Sequence, residues 1–371
     1  MRVAILPAPL ATIPWRVLLP LTGLVCFGAA VLYSAAGGSF GTYAASHLIR
    51  FAVFLVMAFV ISRVPQHWVL MGALPAYGAI VLLLMAVEAM GAIGGGSQRW
   101  LALGPLTLQP SELMKPCIVL ALARFYHTLP AAMTGNWRAL VPAAALIGFP
   151  VALVLLQPDL GTAMAIGFGG AVVLFLAGIP GRWFAGGAIA GMAIAPLAFF
   201  FGLHDYQRRR VFTFLDPESD PLGSGYHITQ SKIAIGSGGI AGKGFGHGSQ
   251  SHLDYLPEPH TDFVFATMAE EWGLLGGLAV LLVFGIVLRW GWTVARNAPD
   301  RFSRLLAGGM TATVFFYVAI NLMMVMGLAP VVGIPLPFMS HGGSSMMTNM
   351  ICLGVLMMVE QWSRRPGSGV T

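Results

Sequence analysis

The chain has 371 residues, 57% of them hydrophobic and 9% charged, with a mean hydropathy of +0.79. A soluble domain carries about 25% charged residues, so no soluble core could hide this much apolar surface, and lipid must be the solvent for most of the chain. The formal net charge of +6 matters less than where the charges lie, and Cys26, Cys117 and Cys352 all fall in apolar segments, as expected of reduced core thiols rather than a disulfide or a metal site.

A helix needs about 20 apolar residues to cross the hydrocarbon. The first candidate lies near 16–36, behind Arg2 and Arg16. Its run is too long for a signal-peptide core and is expected to stay as a helix. Others lie near 47–63, 67–88, 107–126, 139–157, 160–178, 184–203, 263–290, 304–328 and 345–362. The expectation is an all-α integral membrane bundle of ten transmembrane helices, a single polytopic domain over 1–371. The runs are long and lack the period-2 alternation of a β-barrel. Pro158, between the fifth and sixth spans, cannot continue the helical hydrogen bonds and predicts a break there. Arginines from Arg2 and Arg16 through Arg289, Arg296, Arg301 and Arg304 to Arg364 and Arg365 collect on one side, with Arg50, Arg99 and the cations of the long polar stretch on the other, which is expected to put both termini in the cytoplasm. No internal repeat is visible, which weakens an inverted-repeat transporter reading.

Charges inside membrane segments are functional suspects. Glu112 and Lys115 lie three apart in the fourth span, share a helix face and can pair. They form either a structural ion pair or the lining of a substrate cavity. Asp159 follows Pro158 and precedes Gly161-Thr162, where a carboxylate can cap the sixth span. A part in shaping an outward cavity is compatible with that. The seventh and eighth spans are separated by a polar stretch over 205–262, expected to face outward. A loop this long is not needed to join two helices and is usually functional. Arg208, Arg209 and Arg210 near its start suit either lipid headgroups or a diphosphate, whose oxygens match guanidinium forks. Lys232 lies in a segment that mixes apolar and polar residues like an interfacial helix. The run Gly236 to Gly246 is not a P-loop, because no Ser or Thr follows Lys243; its glycines allow close backbone approach to a ligand or membrane. Asp262 ends the stretch directly before the eighth span. A lone aspartate there is commonly an N-cap, but a carboxylate beside an apolar segment can also serve as a general base. Glu258 and His260 are near enough to tune it or to bind a cation, and Glu270 or Glu271 should face the protein interior. The last outer loop, Gly333 to Ser345, holds Pro335, Pro337 and paired glycines, an irregular backbone that must be protein-packed or line a cavity.

Four stretches together resemble the SEDS family, the RodA, FtsW and SpoVE proteins of bacterial cell-wall synthesis. They are Arg99-Trp100 with Gln109 to Lys115, Gln157 to Thr162, Leu256 to Phe263, and Pro335 to Ser345. The short termini and the run before the aspartate loop look more like the RodA branch, the rod-shape-determining members. His341 departs from the tyrosine usual at its position. The resemblance implies a peptidoglycan glycosyltransferase of cell elongation that joins lipid II into β-1,4 glycan strands and releases undecaprenyl diphosphate in the bacterial inner membrane. It implies a class B penicillin-binding protein as partner, and it places the family's essential aspartate on Asp262 as the base. Arg99, Lys232, Lys243 and Arg208 to Arg210 are candidates to stabilise the diphosphate, with a divalent cation (Mg2+ or Mn2+) as a conceivable bridge and no metal ligands to name. Ser344 of the final motif joins the substrate-binding candidates. A groove open to lipid is expected between the fourth, fifth and eighth spans, with Glu112, Lys115 and Asp159 near its floor. The rival readings are a lipid II flippase and a non-catalytic scaffold for the penicillin-binding protein.

Overall fold

The computed structural model describes residues 13–90, 92–94, 97–103, 106–197, 208, 212–213, 216, 224–253, 255–256 and 258–364. Helix α1 (Trp15–Ala35) leads through a π-helical turn (Phe40–Ala44) into α2 (Ala45–Ile61) and α3 (Gln66–Met90). A small antiparallel meander follows, β1 (Ala92–Gly94), β2 (Ser97–Leu103) and β3 (Leu106–Leu108), with Ile93 paired to Gln98 and Ala102 to Thr107. The expectation of a purely helical chain missed it. Then come α4 (Pro110–Thr128), α5 (Trp137–Leu156), α6 (Leu160–Leu176), α7 (Gly181–Leu197), α8 (Ser224–Ser237), the short α9 (Ser249–His252), α10 (Val264–Arg296), α11 (Arg301–Val325) and α12 (Gly343–Arg364).

Seven of these helices are long and apolar enough to cross a membrane: α1, α2 with its π turn, α3, α5, α10, α11 and α12. α4 carries Glu112, Lys115 and Arg124, and α6 is apolar but has only 17 residues. The break predicted at Pro158 separates α5 from α6. On α2, Val53, Val56 and Val60 recur on one face and are 58%, 62% and 64% exposed. In water such a stripe would be costly; in lipid it is the expected outer surface. The centre belongs to α11, whose Leu306, Met310, Val314 and Tyr317 are buried. It is flanked by α4, α6, α10 and α12. Small residues permit the closest approaches: a β-carbon at Gly309 would stand 2.4 Å from Val119, and one at Gly354 would stand 3.0 Å from the Ala58 backbone.

The polar stretch before α10 is not a free loop. Helix α8 packs on α10 and α11, and its Ser231 Oγ donates to Val325 O at 2.8 Å. The glycine run then docks into a break in α10. At Gly273 the backbone leaves the helical region (φ 62°, ψ −157°). The carbonyls of Glu270 and Glu271 instead accept from Lys243 N and Gly244 N, each at 3.0 Å. The amides of Leu274 and Leu275 donate to Gly239 O and Ile240 O at 3.0 and 3.2 Å. Close backbone approach is thus what these glycines provide, with α10 in the place of a ligand or membrane. At Gly242 (φ 80°) a β-carbon would lie 2.1 Å from Glu271 O, and at Gly238 one would lie 2.0 Å from Ala269 O.

Gly242→Ala therefore combines a left-handed backbone with a direct overlap. We expect it to cost about 2–4 kcal/mol, read as a lower Tm of the detergent-solubilised protein. Gly236→Ala, with nothing within 4 Å of its β-carbon, should leave Tm unchanged. Equal behaviour of the two variants would refute the docking account.

Candidate active site

Asp262 is not the N-cap of α10; that position is Phe263. The aspartate is half-buried in the turn just before it. Its backbone is held from α11: Asn321 Nδ2 donates to Asp262 O at 2.9 Å and to Ile334 O at 2.8 Å, tying the aspartate turn to the loop between α11 and α12. The loop comes so near that a β-carbon on Gly333 (φ 68°) would stand 3.6 Å from Asp262 Oδ2.

One turn back along α11, about 6 Å by helical rise, Tyr317 closes a triangle with the two charges of α4. Lys115 Nζ lies 2.6 Å from Glu112 Oε1 and 2.7 Å from Tyr317 Oη, and the tyrosine hydroxyl donates to Glu112 Oε2. Thr348 of α12 donates to Glu112 O at 3.2 Å. Lys115 is 1% and Glu112 7% exposed, so the pair is enclosed among its described neighbours. Asp159 caps α6, its Oδ1 accepting from Thr162 N at 3.1 Å, while Gln109 Nε2 makes a long 3.4 Å contact to Oδ2. At Gly161 a β-carbon would stand 2.8 Å from Val332 O. Asp159 and Asp262 therefore flank the same loop.

The other candidates divide. Lys243 is committed to Glu270 at 2.6 Å, and that buried carboxylate also accepts from Ser249 Oγ and Gln250 N. Glu271, equally buried, accepts from Ser34 of α1. Lys232 is exposed, with its side chain over Gly327 just past the C-terminal end of α11. Glu258 is exposed at φ 48° and accepts from Thr261 Oγ1 at 2.8 Å. Ser344 is half-buried in the first turn of α12. Arg208 is half-buried; Arg209 and Arg210 lie outside the described residues, and Arg99 is placed only by its backbone on β2. Among the described residues no three His, Cys, Asp or Glu side chains could together hold a metal ion.

Sequence reasoning passed over a second cluster on the same rim. His341 N donates to His260 O at 2.8 Å, and His260 stacks on Tyr43 with ring centres 4.1 Å apart. His341 Nε2 lies 2.9 Å from Ser46 Oγ and 3.1 Å from Arg50 Nη1. Arg50 can only donate, so Nε2 is the acceptor. Arg50 also lies close against Gly343 at the start of α12. Tyr317 and Asn321 were detectable as polar residues four apart on one face of an apolar span, whereas Arg50 had been used only to set orientation.

Burial, then Arg50 and then His260, push His341 down to about 4, and burial also lowers His260 against the opposing pull of Glu258. The unfolded chain takes up these protons first, near 6.5. Stability from the rim is therefore complete above about pH 6.5 and is lost as pH falls toward 4. His341→Tyr should flatten the fall in Tm between pH 7 and 4.5 without abolishing it, because His260 titrates in the same sense. An unaltered slope would refute the assignment. Lys115→Met should cost about 3–5 kcal/mol by stranding Glu112, measured as the loss of Tm at pH 7.

The sequence and the fold both match known proteins. The family profile described as cell cycle protein, covering FtsW, RodA and SpoVE, matches residues 11–365. The chain is 44% identical over 346 residues to the peptidoglycan glycosyltransferase MrdB of Escherichia coli K12, covering 92% of each. It is 37% identical over 287 residues to stage V sporulation protein E of Bacillus subtilis 168, covering 76% of this chain and 77% of that one. Among solved structures, a chain from a peptidoglycan synthase complex, described for its coordination of polymerization and crosslinking, superposes with a TM-score of 0.83 at 33% identity, over 95% of this chain and 98% of that one. The rod shape determining protein RodA of Thermus thermophilus gives 0.71 at 29% identity, over 95% and 97%.

Proposed function

The chain belongs to the FtsW, RodA and SpoVE family and is a multi-pass membrane peptidoglycan glycosyltransferase, and from that premise we propose how its residues carry out the transfer. Asp262 is the general base. The substrate is lipid II, and the 4-hydroxyl of the acceptor sugar attacks the anomeric carbon of the donor N-acetylmuramic acid. As the new C–O bond forms, the bond from that carbon to the diphosphate oxygen breaks. Undecaprenyl diphosphate leaves with the electron pair, and the hydroxyl proton passes to the Asp262 carboxylate. A diphosphate is already a good leaving group, so the second carboxyl of a glycosidase has no task here. Direct displacement inverts an α-linked donor into a β-1,4 bond.

The observation that carries this reading is the mounting of Asp262. It is half-buried, outside the capping position, and its main chain is fixed by Asn321 against a loop whose Gly333 leaves space beside Oδ2. A base needs that combination of access and fixed position. The leaving charge calls for fixed donors. Arg50 and Lys232 stand at this end of the bundle, whereas Lys243 is spent on Glu270. Arg208 to Arg210 and Arg99 complete the proposed cationic set, and Glu258, His260 and Ser344 border it. A divalent cation could bridge the diphosphate; every step above uses the chain's own side chains. Glu112, Lys115 and Asp159 take the role of framework beneath the site.

The membrane reading is ten spans, with α4, α6 and α7 crossing as well, both termini cytoplasmic and the 205–262 stretch outside, in the inner membrane. The partner is a class B penicillin-binding protein, supported by the likeness to a chain of a synthase complex. The elongation role rests on the likeness to MrdB and RodA.

Lipid II polymerisation by purified protein tests the reading, with a partner whose transpeptidase serine has been replaced. The parent should yield glycan ladders. Asp262→Asn should lose them by a factor of at least about 100 while keeping its Tm. Ladders from that variant would end the base assignment, and lipid II movement across vesicles without ladders from the parent would favour a flippase.

A further inference from the structure

At the end of the bundle opposite Asp262, a cavity of about 450 Å³ opens between the start of α11, the end of α6 and the connection from α4 to α5. Arg301 donates to Leu129 O at 3.0 Å, Thr134 Oγ1 at 2.9 Å and Ala177 O at 3.1 Å, which fastens three segments together and fixes a positive charge in the wall. Arg304 also lines the cavity and is exposed, with no side-chain partner among the described residues. None of the described lining residues is acidic. Asp300, the acid nearest in sequence, is occupied by Gln66 Nε2 at 2.7 Å and by Ser303 N and Oγ. Two guanidinium groups thus face a cavity without a counterion, and the transfer reaction uses neither.

A second hollow, of about 280 Å³ and apolar, lies between α6, α10 and α11, walled by Val172, Leu288, Trp292, Gly308, Ala312 and Phe315. Thr311, which also lines it, turns its hydroxyl back to Ala307 O at 2.8 Å. The two hollows follow one another along the contact, or seam, of α6 with α11, with Leu176 packed on Gly308 between them. On α11, Arg304, Gly308, Ala312 and Phe315 follow at steps of three and four, a single helix face, and on α6 Leu176 and Val172 do the same. From Arg304 to Phe315 the seam runs about 16 Å, about half the ~30 Å hydrocarbon thickness and so the depth of one leaflet. Its cationic end is the start of α11, which carries Arg301 and Arg304, next to Arg296 at the end of α10, and Trp292 stands beside the apolar part, 50% exposed.

We propose that this seam binds an anionic phospholipid of the leaflet opposite Asp262, with the headgroup phosphate on Arg304 and Arg301 and one acyl chain in the hollow beside Gly308 and Ala312. Charge complementarity selects the headgroup, and the length and polarity of the seam select a chain attached to it. A free anion would use only the first part, and a zwitterionic lipid would gain little from the paired arginines. The proposal requires that α11 cross the membrane and is independent of the identity of the catalytic base.

Native mass spectrometry of the purified full chain, titrated with dioleoyl phosphatidylglycerol, dioleoyl phosphatidylcholine and glycerol 1-phosphate, tests it. Phosphatidylglycerol should bind at least tenfold more tightly than phosphatidylcholine, and glycerol 1-phosphate should not compete at equal concentration. Arg304→Gln should weaken phosphatidylglycerol about fivefold. Ala312→Trp, which fills the hollow while leaving both arginines, should reduce its retention by a similar factor, and the Tm of each lipid-free variant checks its fold. Equal binding of the two lipids, or full retention of phosphatidylglycerol by both folded variants, overturns the proposal. Competition by glycerol 1-phosphate at equal concentration also overturns it, because it would identify an anion pocket without an acyl site.

Discussion

The polar half of this molecule is fixed in place by four backbone hydrogen bonds at a break in α10. Within a bilayer an unpaired N–H or C=O costs several kcal/mol, so a transmembrane helix cannot simply stop and resume. Here Gly273 interrupts the ladder, and the run from Gly239 to Gly244 supplies the missing partners. The requirement is steric as well as electrostatic, since backbone must reach backbone and a side chain at Gly238 or Gly242 would occupy the same space as the helix. Lys243 and Glu270 then add a charge pair across the junction. Through this junction α8, α9 and the turn that carries Asp262 are attached to the bundle rather than suspended above it.

The second organising element is α11. Its Tyr317 completes the Glu112–Lys115 pair, and its Asn321 joins Asp262 to the last loop. A buried ion pair is weak evidence for stability in itself, because desolvation offsets most of the attraction. Its geometric effect is clearer. It sets the rotation of α4 against α11 one turn beneath the aspartate, so the depth of the site is fixed by three side chains from two helices. The rim above is fixed differently, by the stack of Tyr43 on His260 and by the imidazole of His341 between Ser46 and Arg50. Framework and rim meet through Asn321 of α11 and the loop from Val331 to Ser340.

Much of this could be read from the chain beforehand. The apolar runs gave the positions of the helices, because lipid demands length and hydrophobicity whatever the packing. Pro158 gave the break between α5 and α6, and Glu112 with Lys115 gave a pair, because spacing of three on a helix leaves little freedom. The strands between α3 and α4 were missed because short pairings depend on a partner strand, which no local pattern reveals. The glycine run was recognised as a place of close approach, but its partner lay 30 residues downstream at Gly273, a position that reads as ordinary helix. Lys243 looked like a free cation for the same reason: Glu270 was expected to face inward, yet nothing in the sequence brought the two together. Arg50 was assigned to topology alone, and only the fold sets it beside His341 and the first turn of α12.

The order of synthesis gives the break in α10 one more consequence. The glycine run emerges from the ribosome before the helix it completes. Until both have arrived, α10 enters the bilayer with the carbonyls of Glu270 and Glu271 and the amides of Leu274 and Leu275 unpaired. An α10 that lacked its glycine run would expose these four main-chain groups inside the membrane. Sequence changes at this junction would act on the number of molecules that reach the membrane intact and, through the attachment of the Asp262 turn, on the candidate site as well.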